Sequence, residues 1–295
     1  MSWIWLGKIM KSSQARTILE KRYPSAIVTV SEATSGYSTE VFYCEVNGEK
    51  LYARITTDNL FVLRQVYEVA QQAGVPVSKY YDSWHDTEYG CFVLLRHVVV
   101  GAPLNAVSDP TDRHRLLRSF GTILGNMHTI PLSGFGTLTA ADELCGTYES
   151  WHGYLQAWQK PWEDLVTEKL LTDSHLDQIK NIYQKIIART VDTPVLLHND
   201  FHGGHLFVEG NQAAGVIDFS KAIAGDACWD IAKSLYYLDQ QERKIFLAGY
   251  GRSVDYERVI DYEILIALDK TIWSHQEGLD IFPRCHKQLQ TYFEV

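Results

Sequence analysis

The pattern of apolar residues changes near residue 100, and this change most restricts the fold. Before it, short segments alternate between apolar and polar residues, with Asn47-Gly48 between two of them as a strong hairpin signal. The pattern predicts strands at 26–31, 41–46, 50–56, 79–84 and 91–96. Helices at 13–23 and 59–73 complete this part, so we expect a five-stranded sheet with one inserted helix.

Beyond residue 100, apolar residues recur at helical spacing over much longer segments. Asp109-Pro110 is a typical helix start. Further helices are predicted near 148–159, 172–188, 226–237, 240–250 and 256–276. We therefore expect two lobes, 1–97 and 105–295, joined by a linker at 98–104 that contains Gly101 and Pro103.

Charge and cysteine content narrow the class of partner and compartment. A net charge of −9 over 295 residues disfavours nucleic acid or an anionic membrane surface and favours a cationic small molecule. Five dispersed cysteines without a CxxC pair predict neither a disulfide framework nor a zinc knuckle, so a cytoplasmic protein is expected. Segment 1–10 is apolar but too short to span a bilayer, and we expect a strand or turn there.

Two aspartates flank a predicted hairpin in the second lobe. Asp200 lies in the run His198-Asn-Asp-Phe-His-Gly-Gly-His205, and Asp218 follows two apolar strands interrupted by Glu209-Gly210-Asn211. This is the layout of a metal-dependent phosphoryl-transfer site, where one carboxylate orients the attacking hydroxyl and the other holds the metal.

These motifs resemble those of the aminoglycoside phosphotransferase and choline kinase superfamily, which shares the two-lobed fold of protein kinases. The family pattern His-x-Asp-x4-Asn is matched by His198, Asp200 and, with a substitution, His205. Its metal aspartate matches Asp218, and the run from Gly225 through Asp226 and Asp230 to Ala232 resembles the start of the family's next helix.

The resemblance implies an α+β fold, with a five-stranded antiparallel sheet in the N-terminal lobe and a mainly helical C-terminal lobe. It implies an ATP-dependent transfer of the γ-phosphate to a hydroxyl group of an amino sugar or other cationic acceptor. Asp200 would be the base or orienting group, and Asp218 would bind Mg²⁺. His198, Asp226 and Asp230 are expected to be structural, with Asp226 capping a helix.

The resemblance also implies where the nucleotide binds in the N-terminal lobe. Arg54 lies where these kinases place a phosphate-binding cation, on the strand face opposite its apolar residues. Glu68 is expected to pair with it, although its register is about one turn late and Asp58 is an alternative. The phosphate-covering loop would contain Ser35, Gly36 and Ser38, and the adenine edge would meet backbone groups of Arg96, His97 and Val98.

His205 is the main departure, because the family usually has Asn at this position. Imidazole is a poor ligand for Mg²⁺ and a better one for Mn²⁺ or Zn²⁺. Three interpretations stay open: Asp218 and water hold Mg²⁺ alone, Mn²⁺ is preferred, or the chain is mainly a binder. We favour the first, and we disfavour a zinc site at His198, His202 and His205 because no cysteine or carboxylate completes it.

The acceptor site is expected between the catalytic loop and the helices of the second lobe, where acidic residues meet amino groups. Asp269 and Trp273 share a helix face, which suits a cation through charge and cation–π contact. The full set of candidates is Glu149, Trp151, Glu242, Asp269, Trp273 and Glu277.

Two alternative functions remain from the sequence. His205 and the single-glycine loop are compatible with a nucleotide-binding pseudokinase without turnover, and the same fold serves choline or amino-alcohol kinases. A protein kinase is disfavoured because no activation segment separates Asp218 from Gly225. The sequence does not distinguish ATP from GTP, and it does not indicate whether the chain is a monomer or dimer; antibiotic resistance would follow from the acceptor.

Overall fold

The computed structural model describes residues 11–26, 28–32, 41–58, 60–140, 143–158, 162 and 169–293. The chain divides into an N-terminal unit, residues 1–64 and 77–100, and a C-terminal unit, residues 65–76 and 101–295. The lobe boundaries at 97 and 104 stay a prediction. Segment 1–10 and the predicted phosphate-covering loop with Ser35, Gly36 and Ser38 lie outside the described residues.

An antiparallel five-stranded sheet forms the centre of the N-terminal unit, as predicted. Its strands pair in the order β1-β2-β3-β5-β4. They are β1 (Val28–Glu32), β2 (Val41–Val46), β3 (Glu49–Thr56), β4 (Tyr80–Asp86) and β5 (Cys91–His97). On β3, Leu51, Ala53 and Ile55 are fully buried, so one face of the sheet forms the core of this unit.

Helix α1 (Ser12–Arg22) covers the buried face of this sheet. Its Ala15, Ile18 and Leu19 belong to the same apolar cluster as the inward residues of the strands. Helix α2 (Phe61–Gln72) is amphipathic, and it is followed by Gly74 in the left-handed conformation with φ of 79°.

The C-terminal unit is mainly helical. Its helices are α3 (Pro110–Met127), α4 (Trp151–Trp158), α5 (Asp173–Ile187), α6 (Ala227–Leu235), α7 (Gln240–Tyr250), α8 (Tyr256–Gln276) and α9 (Phe282–Thr291). The Asp109 carboxylate caps α3 by accepting from the Asp112 amide at 2.9 Å, as Asp109-Pro110 predicted. Helices α7 and α8 have the predicted bounds, whereas α9 was not predicted.

Helices α3 and α7 pack at very short range because glycines face each other's backbones. A Cβ atom on Gly121 would lie 2.1 Å from the Phe246 carbonyl oxygen, and one on Gly249 would lie 1.9 Å from the Arg118 carbonyl oxygen. The ring of Phe201 packs beside Phe120 of α3 and Phe246 of α7, with centroids 6.4 and 6.3 Å away. This packing fixes the chain directly after Asp200.

Two small sheets complete the C-terminal unit. One contains β7 (Phe135–Ala140), β8 (Leu144–Tyr148), β9 (Val195–Leu197) and β12 (Ile223–Gly225), and the other contains β6 (Ala102–Pro103), β10 (Leu206–Glu209) and β11 (Gln212–Val216). The hairpin of β10 and β11 was predicted. Strands β7 and β8 were not, and Tyr148 lies in β8 rather than in the helix expected there, because pairing with Phe135 outweighs local periodicity.

Among the described residues, no helix has both the length and the apolar character that crossing a membrane would require.

Candidate active site

Asp200 and Asp218 lie just beyond the ends of β9 and β11, on either side of the β10–β11 hairpin. Asn199 and Asp218 adopt the left-handed conformation, with φ of 62° and 58°. This conformation costs a residue other than glycine about 1–3 kcal/mol, so surrounding contacts must hold it. The two aspartates are thus placed by a local backbone geometry that other residues enforce.

Asp230 of α6 provides much of that support. Its buried carboxylate accepts the amides of His198 at 2.7 Å and Asn199 at 2.8 Å, and it lies 3.3 Å from His128 Nε2. Burial would raise the pKa of Asp230, but the hydrogen bond and charge of His128 outweigh it and hold the pKa below its usual range. Asp230 therefore occupies the position that the predicted structural role requires.

The side chain of Asn199 ties the same turn to two further segments. Its Nδ2 donates to the Lys221 carbonyl oxygen, and its Oδ1 accepts the Trp229 indole N–H, each at 2.9 Å. Lys233 Nζ donates to the Asn199 carbonyl oxygen at 3.0 Å. These bonds hold the left-handed residue that precedes Asp200.

His198 connects the Asp200 loop to the segment that leads into Asp218. Its Nδ1 accepts the Asp200 amide at 3.2 Å, so its Nε2 carries the proton and donates to the Ile217 carbonyl oxygen at 2.9 Å. Burial lowers the pKa of His198 and keeps the ring neutral. A neutral, doubly bonded ring suits the structural role predicted for it.

The Asp200 carboxylate forms an ion pair with Lys221. The distance from Lys221 Nζ to Asp200 Oδ2 is 2.9 Å, and the aspartate side chain is 17% exposed. Burial would raise the pKa of Asp200, but the Lys221 charge holds it well below its usual range. Asp200 is therefore ionised at neutral pH and can accept a hydrogen bond from a hydroxyl group. Sequence reasoning missed Lys221, whose role depends on the turn after Asp218.

His202 lies on the other side of Asp200. Its Nδ1 accepts the Gly204 amide at 3.1 Å, and its Nε2 is 3.8 Å from Asp200 Oδ1. Burial, assisted by the neighbouring His205 ring, lowers the pKa of His202 to about 4. The ring is therefore neutral, with the proton on Nε2 facing the carboxylate.

His205 lies between Asp200 and Asp218. Its Nδ1 donates to the Asp200 carbonyl oxygen at 3.0 Å, and its Nε2 is 3.9 Å from Asp218 Oδ2. The other carboxylate oxygen of Asp218 accepts the Ser220 hydroxyl at 2.5 Å. Asp218 thus turns one oxygen toward the chain and the other toward the His205 ring.

The structure does not bring together the three histidines of the disfavoured zinc site; it brings Asp200 close to His202 and His205 instead. Asp200, His202 and His205 each offer a ligand atom, and these atoms lie within 4.8 Å of one another. The spacing of the three histidines could not indicate this, because it is Asp200 rather than His198 that turns toward the other two.

Asp226 is bonded as a helix cap, in line with its predicted role. Its carboxylate accepts the Cys228 amide and the Tyr262 hydroxyl, both at 2.9 Å, and the Arg258 guanidinium at 3.1 Å. Tyr262 in turn accepts the indole N–H of Trp151, which is 3% exposed. The expectation that Trp151 lines the acceptor site is therefore wrong, since its ring is buried and its N–H is bonded to Tyr262.

Glu242 is also structural and not an acceptor residue. Its carboxylate accepts the Asp239 amide at the start of α7 at 3.2 Å and pairs with Arg113, and the residue is 9% exposed. An acidic residue at the third position of a helix commonly accepts the backbone amide of the N-cap residue, and Glu242 has this role in α7.

Of the remaining acceptor candidates, Glu149 is exposed just before α4, and the other three lie in the second half of α8 or directly after it. Trp273 is 38% exposed and Glu277, the C-cap, is exposed, while Asp269 is half-buried. Burial lowers the pKa of Lys233 to about 8, although the charges of Asp269 and Asp200 oppose it. The negative charges of both carboxylates thus act on the Lys233 ammonium group. The sequence could not indicate this, because it depends on how α6 packs against α8.

In the N-terminal unit, Arg54 is half-buried on the strand face that was expected. The Arg96 guanidinium is bonded to Ser78, and the amides of His97 and Val98 donate to Lys79 and Lys50 carbonyl oxygens at 2.9 and 3.0 Å. These two amides are therefore engaged within the sheet. Contact between adenine and the backbone groups of 96–98 other than these two amides stays a prediction.

Comparison with known proteins places this geometry in context. The model of the phosphotransferase enzyme family, APH, matches residues 29–262. Hygromycin-B 4-O-kinase of Escherichia coli is 19% identical over 288 residues, which cover 92% of this chain and 81% of the relative.

Solved structures share the fold at similar identity. A thermostable mutant of APH(4)-Ia, in a ternary complex with AMP-PNP and hygromycin B, superposes with a TM-score of 0.72 at 18% identity, covering 94% of this chain and 96% of that one. The GDP complex of aminoglycoside 2'-phosphotransferase-IIIa gives 0.66 at 15% identity, covering 96% and 98%. The kinase-like fold implied by the sequence motifs is confirmed.

Proposed function

This chain belongs to the phosphotransferase enzyme family, which confirms the expected reaction class, and we propose that it transfers the γ-phosphate of ATP to a hydroxyl group of an aminoglycoside or similar cationic acceptor. The observation that carries the proposal is the ionised Asp200, fixed by Asp230 and His198 beside Asp218. Phosphoryl transfer needs such positioning more than covalent chemistry from the protein.

Asp200 is the proposed orienting group for the acceptor hydroxyl. Its low pKa keeps the carboxylate ionised and makes it a weak base, so it accepts a hydrogen bond that aligns the hydroxyl and takes the proton late in the transfer. The ammonium group of Lys221 lies 2.9 Å from Asp200. It would therefore stabilise the negative charge of the phosphoryl group during its transfer to the hydroxyl oriented by Asp200.

Asp218 and His205 would hold the divalent metal ion. A carboxylate oxygen directed away from its own turn is a suitable ligand for such an ion. The metal, when bound, neutralises charge on the nucleotide phosphates.

Nucleotide recognition is proposed for Arg54 as the phosphate cation, for Glu68 or Asp58 as its partner, and for 35–38 as the covering loop. One structural neighbour was solved with AMP-PNP and another with GDP, so GTP is the alternative donor. We propose ATP.

The acceptor is proposed to meet Asp269, Trp273 and Glu277. Kanamycin and hygromycin B occupy structural neighbours, which supports a cationic sugar as the first class to test. The five cysteines are free thiols, which supports a cytoplasmic location.

The proposal is tested by incubating the purified chain with ATP or GTP and a panel of acceptors, and by detecting phosphorylated product by mass spectrometry. The panel contains hygromycin B, kanamycin, choline and small amino alcohols. A phosphorylated aminoglycoside supports the proposal. Phosphorylated choline without a phosphorylated aminoglycoside would show that the acceptor is an amino alcohol instead. Nucleotide binding without any product would favour the pseudokinase alternative.

A further inference from the structure

Lys270 of α8 is a half-buried cation whose ammonium group contacts aromatic rings instead of an oxygen atom. Its Nζ lies over the rings of Tyr236 and Tyr237, 5.4 and 4.9 Å from their centroids. Within the described part of the chain, no oxygen atom is hydrogen-bonded to it. An ammonium group has three N–H donors and an aromatic face is a weak partner, so Lys270 keeps donors for the oxygen atoms of a ligand.

The ring of Tyr237 connects Lys270 to the loop that carries Asp200. It lies against the His202 ring, with the centroids 5.0 Å apart. His202 Nε2 is in turn 3.8 Å from Asp200 Oδ1. Because Tyr237 is 37% exposed, it offers an aromatic surface to a ligand that binds beside Asp200.

Electrostatic effects on neighbouring groups agree with this placement. Burial is the main cause of the low pKa of His202, and the charge of Lys270 contributes to it. Burial would lower the pKa of Lys221, but Asp200 raises it, and the hydroxyl group of Tyr237 adds to that rise. Lys270 and the Tyr237 hydroxyl are therefore close enough to Asp200 and its immediate partners to act on their charges.

The charge of Lys270 restricts which chemical groups of an acceptor fit beside Asp200. The Asp200 carboxylate is already paired with Lys221, so Lys270 makes this side of the loop positive. A lysine donates hydrogen bonds and accepts none, so it binds hydroxyl and ether oxygens and repels an ammonium group. The part of an acceptor that lies here should therefore carry oxygen groups and no amino group.

The sign of the charge reverses farther along the same face of α8. Trp273 and Glu277 follow Lys270 by three and seven positions, which places the three residues on one side of the helix. Trp273 is 38% exposed and Glu277 is exposed. At a rise of about 1.5 Å per residue, Glu277 lies about 10 Å along the helix from Lys270. An amino group of the acceptor would be attracted to this end of the helix.

We propose that Lys270 and Tyr237 form a subsite for an amine-free sugar ring of the acceptor, and that this ring presents the reacting hydroxyl group to Asp200. The inference rests on the proposed function for the reaction, and it adds which end of the acceptor meets the catalytic loop. The ring packs on Tyr237, and its hydroxyl or ether oxygens accept hydrogen bonds from Lys270. The amino groups of the acceptor lie about 10 Å away, toward Glu277.

The test compares the binding of two monosaccharides to the chain by ligand-observed NMR titration, with AMP-PNP and Mg²⁺ present. One is methyl glucopyranoside; in the other, an amino group replaces the primary hydroxyl and is charged at neutral pH. Wild type should bind the neutral sugar about tenfold more tightly, because repulsion replaces a hydrogen bond to a charged group. Lys270→Met and Lys270→Gln should abolish this preference, and Lys270→Arg should retain it. Lys287→Met, at an exposed position of α9, is the matched control and should also retain it.

Three results would overturn the inference: equal or tighter binding of the amino sugar to wild type, an unchanged preference in the two neutral variants, or no binding of the neutral sugar to wild type. Thermal unfolding of all variants, measured in parallel, identifies any that fails to fold. An aminoglycoside phosphorylated by a protein without the preference would overturn the inference alone. The expected preference in a protein that phosphorylates no acceptor would overturn the proposed function alone.

Discussion

The 198–205 loop and the end of α8 differ in how their polar side chains are held. In the loop, His198 is fully buried and hydrogen-bonded through both ring nitrogens, and its amide is bound by the buried Asp230. On α8, Trp273 and Glu277 are exposed. The groups proposed for chemistry are thus fixed before a substrate arrives, whereas those proposed for acceptor recognition can adapt.

Substitution of Asp218 should have the largest effect. Asp218→Ala removes the carboxylate proposed to hold the metal, and loss of several kcal/mol of charge stabilisation corresponds to a rate reduction of about 10³-fold. The measurement is kcat with the best acceptor. Glu277→Ala is the control on α8, and an equal loss of kcat there would contradict the distinction between the two regions.

Substitution of Asp230 tests whether its buried hydrogen bonds stabilise the 198–205 loop. Asp230→Ala leaves two amides and His128 without their acceptor, which should lower the free energy of unfolding by about 3 kcal/mol. Denaturant unfolding measures it. The exposed Glu277→Ala should change that free energy by less than about 0.5 kcal/mol; similar losses in both would show that the loop has no special support.

Substitution of Asp269 tests the adaptable region. Asp269→Asn keeps the shape and removes the charge, so KM for a cationic acceptor should rise about tenfold, equivalent to about 1.4 kcal/mol, with kcat nearly unchanged. Steady-state kinetics with hygromycin B or kanamycin measures both constants. A fall in kcat with constant KM would assign Asp269 to the chemical step instead.

Lys233 lies under the influence of both regions, and its titration provides a test in which only the pH is changed. Its pKa of about 8 is below the usual value, so above pH 8 the folded state releases a proton that the unfolded state retains. Stability should therefore rise between about pH 8 and pH 10 relative to Lys233→Met, in which this proton is absent. Parallel urea unfolding across that range checks the sign, and parallel curves would contradict the shift.

The sequence predicted those parts of the fold that depend on local pattern. The β10–β11 hairpin follows from two apolar strands around Gly210, and α7 and α8 follow from helical periodicity and acidic caps. Strands β7 and β8 were missed because a short paired segment has little periodicity of its own, and pairing between distant strands decides its structure.

The same division applies to the candidate site. Asp200, Asp218 and His205 could be singled out because their spacing along one hairpin fixes their proximity. Lys221 and Lys233 could not, since a lysine reaches Asp200 or Asn199 only through tertiary packing. Trp151 was named as an acceptor candidate because it was expected on a helix beside the cleft, and only the tertiary packing shows that its ring is buried.

The most direct test of the account is a single-turnover measurement on Asp200→Asn, with ATP binding followed in the same samples. The account predicts that nucleotide binding persists while transfer to the acceptor slows by about 10²- to 10⁴-fold, because only the alignment of the hydroxyl and its proton is lost. Wild-type transfer rates in Asp200→Asn would contradict the role of Asp200 and, with it, the assignment of the 198–205 loop as the catalytic centre.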